Sequence, residues 1–241
     1  MSINALTLTP IAKVSSPYRE KFGTPRQSGL VDEAVGEIRF EAGFCDPNMV
    51  RGLEQFSHLW LIYVFHATMN EGWKATVTPP RLGGSTRLGV FATRSNFRPN
   101  PLGLSVVKLE EIIHKGNQLV LKVRGLELLD GTPIVDIKPY IPYADALPDA
   151  KAGFAGEAPG SERQVLFTDA ARRELETFST PYPDLEAFIC ALLRQDPRPA
   201  QHVRSDEQRE YGMLLYDLNI RWHMDGDSVV VKSIELSGHR V

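Results

Sequence analysis

Residues 58–66, HLWLIYVFH, are aromatic, β-branched and apolar at almost every position, with a histidine at each end. The run is far too short to cross a bilayer, and it carries apolar side chains for both faces, so it predicts a central strand buried on both sides. The segments around it also read as strands. Residues 7–14 alternate weakly before Ser15-Ser16-Pro17, and residues 36–44 alternate more clearly. Residues 73–78 and 87–93 are separated by Pro79-Pro80 and Gly83-Gly84, while 103–113 and 118–124 meet at Lys115-Gly116-Asn117 as a hairpin. Residues 134–140 follow the Asp130-Gly131-Thr132 turn. The main helical signal in this half is Asp46 before Pro47, an N-cap and first-turn pair that predicts a short helix over 46–56. Many short strands joined by hairpins, with little helix before residue 150, predict a mainly β fold, an antiparallel sandwich or barrel. The strand, Gly-x-Gly-x-x-Gly, helix unit of a Rossmann nucleotide fold is absent.

Beyond this half, residues 151–160 are rich in Ala, Gly and Pro and read as a linker between a domain over 1–150 and a second over 161–241. Thr168 can cap a helix reaching Phe178, and Asp184 a second reaching Arg194. Strands over 214–223 and 228–236 meet at Asp225-Gly226-Asp227, which makes this part a small α+β unit. QDPRPAQ, residues 195–201, joins its halves as a loop with Arg198 between two prolines, a cation that a partner could meet.

Charge is unevenly spread. The net charge of -3 argues against a protein that coats nucleic acid non-specifically, yet residues 72–109 contain Lys74, Arg81, Arg87, Arg94, Arg98 and Lys108 with no acidic residue. Glycines and prolines break this stretch into loops whose backbone can approach a ligand closely, the makeup of an anion or nucleic-acid site. Phe97 between Arg94 and Arg98 can hold a base or an adenine ring. The only cysteines, Cys45 and Cys190, are far apart in sequence, so neither a disulfide framework nor a thiolate metal site is expected, and a reducing compartment fits. With no secretory leader pattern at the start, the expected location is the cytoplasm.

Several residues stand out by chemistry. Arg26 and Gln27, beside Pro25 in YREKFGTPRQSGL, place a planar donor fork next to an amide; they can bind a carboxylate, read a base edge, or simply be surface. His66 ends the apolar run, where binding loops start, whereas the spacing of His58 and His66 gives no metal signature and no metal is expected. Asp136 and Lys138 project on the same strand face, and an ion pair between them is the simpler reading.

Four segments, EKFGTPRQSGL, GLEQFSHLWLIYVFH, PPRLGGSTRLGVFATRSNFRPNPLGLS and LLDGTPIVDIKPYIPYAD, closely resemble the TsaA-like, or TrmO, family of tRNA methyltransferases; QDPRPA and the strands after it resemble the C-terminal domain of its bacterial members. The resemblance implies a β-barrel enzyme that works as a homodimer, uses S-adenosylmethionine without a Rossmann fold, and methylates N6 of N6-threonylcarbamoyladenosine beside the anticodon of tRNA. Where the family pattern leads one to expect an arginine before the paired prolines, this chain has Thr78. The cofactor residues it implies are Pro25, Arg26, Gln27, His66, Ala67, Arg94, Leu104, Asp130, Gly131 and Thr132. Asp136 is the candidate base, with Arg81, Arg87, Arg98, Lys138 and Arg198 facing RNA. A barrel with basic, aromatic loops that holds RNA without chemistry is the alternative.

Overall fold

The computed structural model describes residues 6–158, 160, 163–203 and 209–238. Its strands in chain order are β1 (Ala12–Ser15), β2 (Val35–Phe40), β3 (His58–Val64), β4 (Thr76–Val77), β5 (Leu88–Gly89), β6 (Leu102–Lys115), β7 (Gln118–Arg124), β8 (Pro133–Pro139), β9 (Val165–Phe167), β10 (Glu210–Leu215), β11 (Leu218–Asp225) and β12 (Ser228–Leu236). The helices are α1 (Pro142–Asp145), α2 (Asp169–Phe178), α3 (Leu185–Arg194) and α4 (Ala200–Val203). β1, β2, β7, β6, β3 and β8 close, in that order, into an antiparallel barrel.

Closure explains how β3 is used. Leu59, Leu61 and Tyr63 point into the barrel and are buried, whereas Trp60, Ile62 and Val64 are only partly covered. The expectation of burial on both faces is therefore corrected: within this chain one barrel wall has a core on its inner side only, and among the described residues the outer apolar face of β3 is covered only in part, by Tyr140 and Asp145 at Trp60. Inside, Ile38, Val107, Leu121, Val123 and Ile134 complete the core.

Register decides where the connections lie. Ser15 pairs with Glu37, Val35 with Arg124, Val64 with Leu102, and both Ala12 and Tyr63 with Ile134. The C-terminal ends of β1, β3 and β7 thus share one rim with the N-terminal ends of β2, β6 and β8. Three connections, residues 16–34, 65–101 and 125–132, emerge at that rim. The opposite rim carries residues 41–57, the tight β6–β7 turn and the end of β8, where the chain leaves the barrel.

Other expectations shift locally. Residues 46–56 form two 3-10 turns, Pro47–Val50 and Leu53–Gln55, in place of one helix; Asp46 does cap the first, accepting from the Asn48 amide at 2.9 Å, but Gly52, at φ 87°, separates them. The strands expected over 73–78 and 87–93 shrink to the short β4–β5 ribbon, followed by a 3-10 turn at Val90–Ala92. The strand expected over 214–223 is two strands, β10 and β11, with Tyr216 at φ 57° in the turn between them.

In the second unit the sheet order is β10-β11-β12-β9, with β9 parallel to β12. Thr168 caps α2 through its hydroxyl, which accepts from the Ala171 amide at 3.2 Å. Asp184 occupies the N-cap position of α3 without a side-chain cap bond. This unit docks on residues 16–34. Tyr18 bridges to Leu215, the Tyr216 amide donates to the Pro17 carbonyl at 2.7 Å, and the Tyr18 and Phe188 rings lie 5.8 Å apart. Glu20 accepts from the Leu214 amide at 3.1 Å, and Gln195 donates to the Leu30 carbonyl at 3.1 Å.

Gly23, at φ 86°, lies against Met213, and a Cβ there would overlap that side chain. The left-handed backbone and the overlap together cost Gly23→Ala roughly 2 kcal/mol. For a chain of this size the expected result is a Tm lower by roughly 4–8 °C in calorimetry; an unchanged Tm would show that the docked loop adds no stability.

Candidate active site

The loop-bearing rim collects most of the residues singled out from sequence. In the 16–34 connection Pro25 is buried, Arg26 is exposed and Gln27 is half-buried. Gln27 accepts a hydrogen bond from Arg94 Nη1 of the 65–101 connection and donates to the Arg26 carbonyl. The Gly29 amide donates to the Gly125 carbonyl at 2.8 Å, tying the first connection to the third. The three loops therefore form one unit at the barrel mouth. The Arg26 guanidinium makes no hydrogen bond or ion pair among the described residues, so it is available to a ligand.

The Asp130-Gly131-Thr132 turn is held on all sides. The Gly131 amide donates to the Val14 carbonyl at 2.8 Å, and the Asp130 amide to the Tyr18 carbonyl at 2.9 Å. Thr132 is buried, and its hydroxyl donates to the Leu129 carbonyl at 2.7 Å. One Asp130 carboxylate oxygen accepts from the Ser16 amide at 2.9 Å, and the other pairs with Arg19. This carboxylate is occupied within the chain.

His66 follows β3 and is half-buried, with Ala67 exposed beside it; Asn96 Nδ2 donates to the Thr68 hydroxyl at 2.7 Å and closes the loop behind them. Leu104 lies on the outer wall, 52% exposed, directly opposite Ile62, which in turn lies opposite Asp136. The ion pair expected between Asp136 and Lys138 is present, Oδ2 to Nζ at 3.0 Å, and Asp136 Oδ1 accepts from the Ile137 amide at 2.9 Å.

The basic residues divide. Arg98 is half-buried and donates to the Thr93 carbonyl at 2.8 Å and the Val90 carbonyl at 3.3 Å, its guanidinium 5.5 Å from the Phe91 ring centre. It shapes the loop that presents Arg94. Arg198 is held bidentate by Asp196 at 2.7 Å on both nitrogens, its side chain only 11% exposed. Both are committed to their own fold. Arg81, bonded to the Glu157 carbonyl, and Arg87, bonded to the Thr76 hydroxyl at 2.7 Å, are exposed, as is Lys138. Among the described residues no group of three or more His, Cys, Asp or Glu is placed to hold a metal ion.

Sequence reasoning missed Glu127. It enters the barrel mouth from the 125–132 connection between two buried neighbours, Leu126 and Leu128. Its Oε1 accepts from the Ser105 hydroxyl at 2.6 Å, while Oε2 is shut from solvent with no hydrogen-bond partner among the described residues. Tyr63 and Ser105 project inward beside it, and Gly103 leaves room for the Tyr63 ring, which a Cβ at that position would overlap. Burial pushes the Glu127 carboxyl up to about 7, against the opposing pull of Ser105 and of the Arg94 charge. Burial likewise pushes the Tyr63 hydroxyl up to about 12, with the Glu127 charge adding to the effect. A lone carboxylate between leucines was the available signal.

The sign of the resulting pH dependence follows. The unfolded chain ionises this carboxyl near the ordinary 4.5, while the folded chain holds the proton to about 7, so its stabilising contribution is complete below 4.5 and is lost as pH rises through 7. Glu127→Gln keeps an acceptor for Ser105 and removes the titration. The stability of the wild type relative to this variant is expected to fall by roughly 3 kcal/mol between pH 4 and pH 8 in denaturant titrations; a constant difference would refute the assignment.

Comparison with known proteins agrees with this architecture. The family profile described as the tRNA-methyltransferase O N-terminal domain matches residues 13–146, and that of the TrmO C-terminal domain matches residues 161–237. The tRNA (adenine(37)-N6)-methyltransferase of Escherichia coli strain K12 is 49% identical over 225 residues, 93% of this chain and 96% of that protein. A putative S-adenosylmethionine-dependent methyltransferase of Pseudomonas aeruginosa strain PAO1, RcsF, is 42% identical over 221 residues, 90% of this chain and 92% of that protein. The crystal structure of TrmO from Pseudomonas aeruginosa superposes with a TM-score of 0.80 at 35% identity, covering 97% of this chain and 99% of that one. The chain belongs to the TrmO family of tRNA methyltransferases.

Proposed function

We propose that this protein is an S-adenosylmethionine-dependent tRNA methyltransferase that acts on N6 of N6-threonylcarbamoyladenosine beside the anticodon. The observation that carries the reading is the convergence of the 16–34, 65–101 and 125–132 connections on one barrel rim, joined by the Arg94 to Gln27 and Gly29 to Gly125 hydrogen bonds. Family membership, with relatives named as tRNA adenine N6-methyltransferases at 49% and 43% identity, supports the chemistry.

The residues present fit the cofactor. It combines a carboxylate, an ammonium, a sulfonium, ribose hydroxyls and an adenine ring; the mouth offers the uncommitted guanidinium of Arg26, the ring of His66, Arg94 and the backbone of residues 130–132, and the outer wall beside it offers the apolar side chain of Leu104. Arg26 and Arg94 would hold the carboxylate, and Leu104 would wall the adenine. Once bound, the cofactor supplies a methyl group on a good sulfonium leaving group. Positioning of the N6 nitrogen against that methyl then dominates catalysis and can supply ~7–11 kcal/mol of the barrier. Asp136, across β3 from Leu104, borders the same outer wall and would take the N6 proton.

The half-covered face of Trp60, Ile62 and Leu104 is where a second copy of the chain would pack, bringing the cofactor close to the interface of a homodimer. RNA contacts fall to the exposed cations Arg81, Arg87 and Lys138, whose present partners are surface groups that a phosphate can displace. Arg98 and Arg198 contribute through loop shape. No helix among the described residues is long and apolar enough to cross a membrane; a tRNA substrate supports a cytoplasmic location.

Deleting the gene is expected to abolish the N6-methylated form of threonylcarbamoyladenosine in tRNA digests analysed by mass spectrometry; unchanged levels would overturn the substrate. Arg94→Ala is expected to weaken S-adenosylmethionine binding at least tenfold in calorimetry, the loss of a charged hydrogen-bonding partner. Asp136→Asn is expected to slow single-turnover methylation by about 10²-fold. A wild-type rate in that variant would remove Asp136 as the base.

A further inference from the structure

The Asp130 carboxylate, an obvious partner for a cationic ligand, is already satisfied by the Ser16 amide and by Arg19. Glu127 is not. Its Oε2 is buried without a hydrogen-bond partner among the described residues, and the groups facing it from the packed elements are Ser105 of β6, Tyr63 of β3, Arg94 of the 65–101 connection and Tyr18 of the 16–34 connection. Of these only Arg94 is cationic, and no ion pair joins it to Glu127 among the described residues; its Nη1 is engaged by Gln27. A carboxylate closed off from water and left short of positive charge projects its field through a medium of low dielectric, so a charge several ångströms away feels it without contact.

The methyl donor and the spent cofactor differ in the charge that such a field reads. S-adenosylmethionine carries a sulfonium; when the methyl group passes to the nitrogen, the carbon–sulfur bonding pair stays on sulfur and leaves a neutral thioether, while the nitrogen gives up its proton. Resting on the methyltransferase reading above, we propose that Glu127 supplies the negative charge at the barrel mouth by which this protein prefers S-adenosylmethionine to S-adenosylhomocysteine. Glu127 acts as a positioning charge behind the mouth. It lowers affinity for the product relative to the donor and so favours exchange of one for the other after each turnover, a step that often limits kcat. Because the carboxyl titrates near 7, the preference grows as pH rises.

The test is calorimetric titration of the full chain and of Glu127→Gln with each compound at pH 5.5 and pH 8. In the wild type the ratio of the Kd for S-adenosylhomocysteine to that for S-adenosylmethionine is expected to be about tenfold larger at pH 8 than at pH 5.5, the effect of one charge acting across several ångströms of protein. In Glu127→Gln the ratio is expected to match the wild-type value at low pH and to move only as the ligands' own ionisation dictates, which that variant measures. A merely structural role would weaken both ligands together and leave the ratio alone. Binding of both compounds with a ratio unaffected by pH in the wild type would overturn this inference and leave the methyltransferase reading intact, whether or not the variant folds. Binding of neither to the wild type would overturn both.

Discussion

The guanidinium of Arg19 sits where three parts of the molecule meet. It pairs with Asp130 in the turn that opens β8, belongs to the connection that carries Arg26 and Gln27, and donates through Nε to the Tyr216 carbonyl of the second unit at 2.9 Å. With the Ser16 amide on the other oxygen, Asp130 welds the first and third connections together. Everything proposed for the mouth relies on this tie, because Arg26 and Gln27 lie on a segment with no regular structure of its own. An exposed pair of this kind adds little stability by itself. Its importance is geometric: it fixes the relation of two loops that a barrel alone would leave independent.

Much of the barrel was legible because its signals are local. The β6–β7 hairpin, the β8 strand and the Thr168 cap follow from side-chain alternation, turn residues and capping chemistry that act within a few positions. What was not legible depended on distant pairing. β4 and β5 are short because Pro79, Pro80 and the glycines between them permit only a small ribbon. β10 and β11 part at Tyr216 in a conformation that a bulky residue adopts only when tertiary contacts hold it, here the Pro17 carbonyl, almost two hundred positions earlier.

The same distinction applies to the site. The Asp136–Lys138 pairing could be anticipated from spacing on one strand, whereas the commitments of Arg98 and Arg198 to nearby carbonyls and to Asp196 are set by how their loops fold back. Glu127 was passed over because a single carboxylate among leucines has no motif; only the fold shows that its second oxygen is shut away with nothing to accept from. The outer face of β3 made the reverse error natural. Its apolar side chains predict full burial, and one copy of the chain covers only the inner half.

The bridge from Tyr18 to Leu215 also bears on the order in which the protein is made. Every barrel strand lies between residues 12 and 139, so the barrel's own pairings are available while the rest of the chain is still being synthesised. The 16–34 connection, in contrast, finds part of its partners in β10 and the turn after it, among the last segments to emerge. Contacts so distant along the chain form late. A nascent or C-terminally shortened chain therefore has the barrel pairings and the ties among its rim loops, while the outer side of the 16–34 connection waits for β10 and the turn after it to emerge.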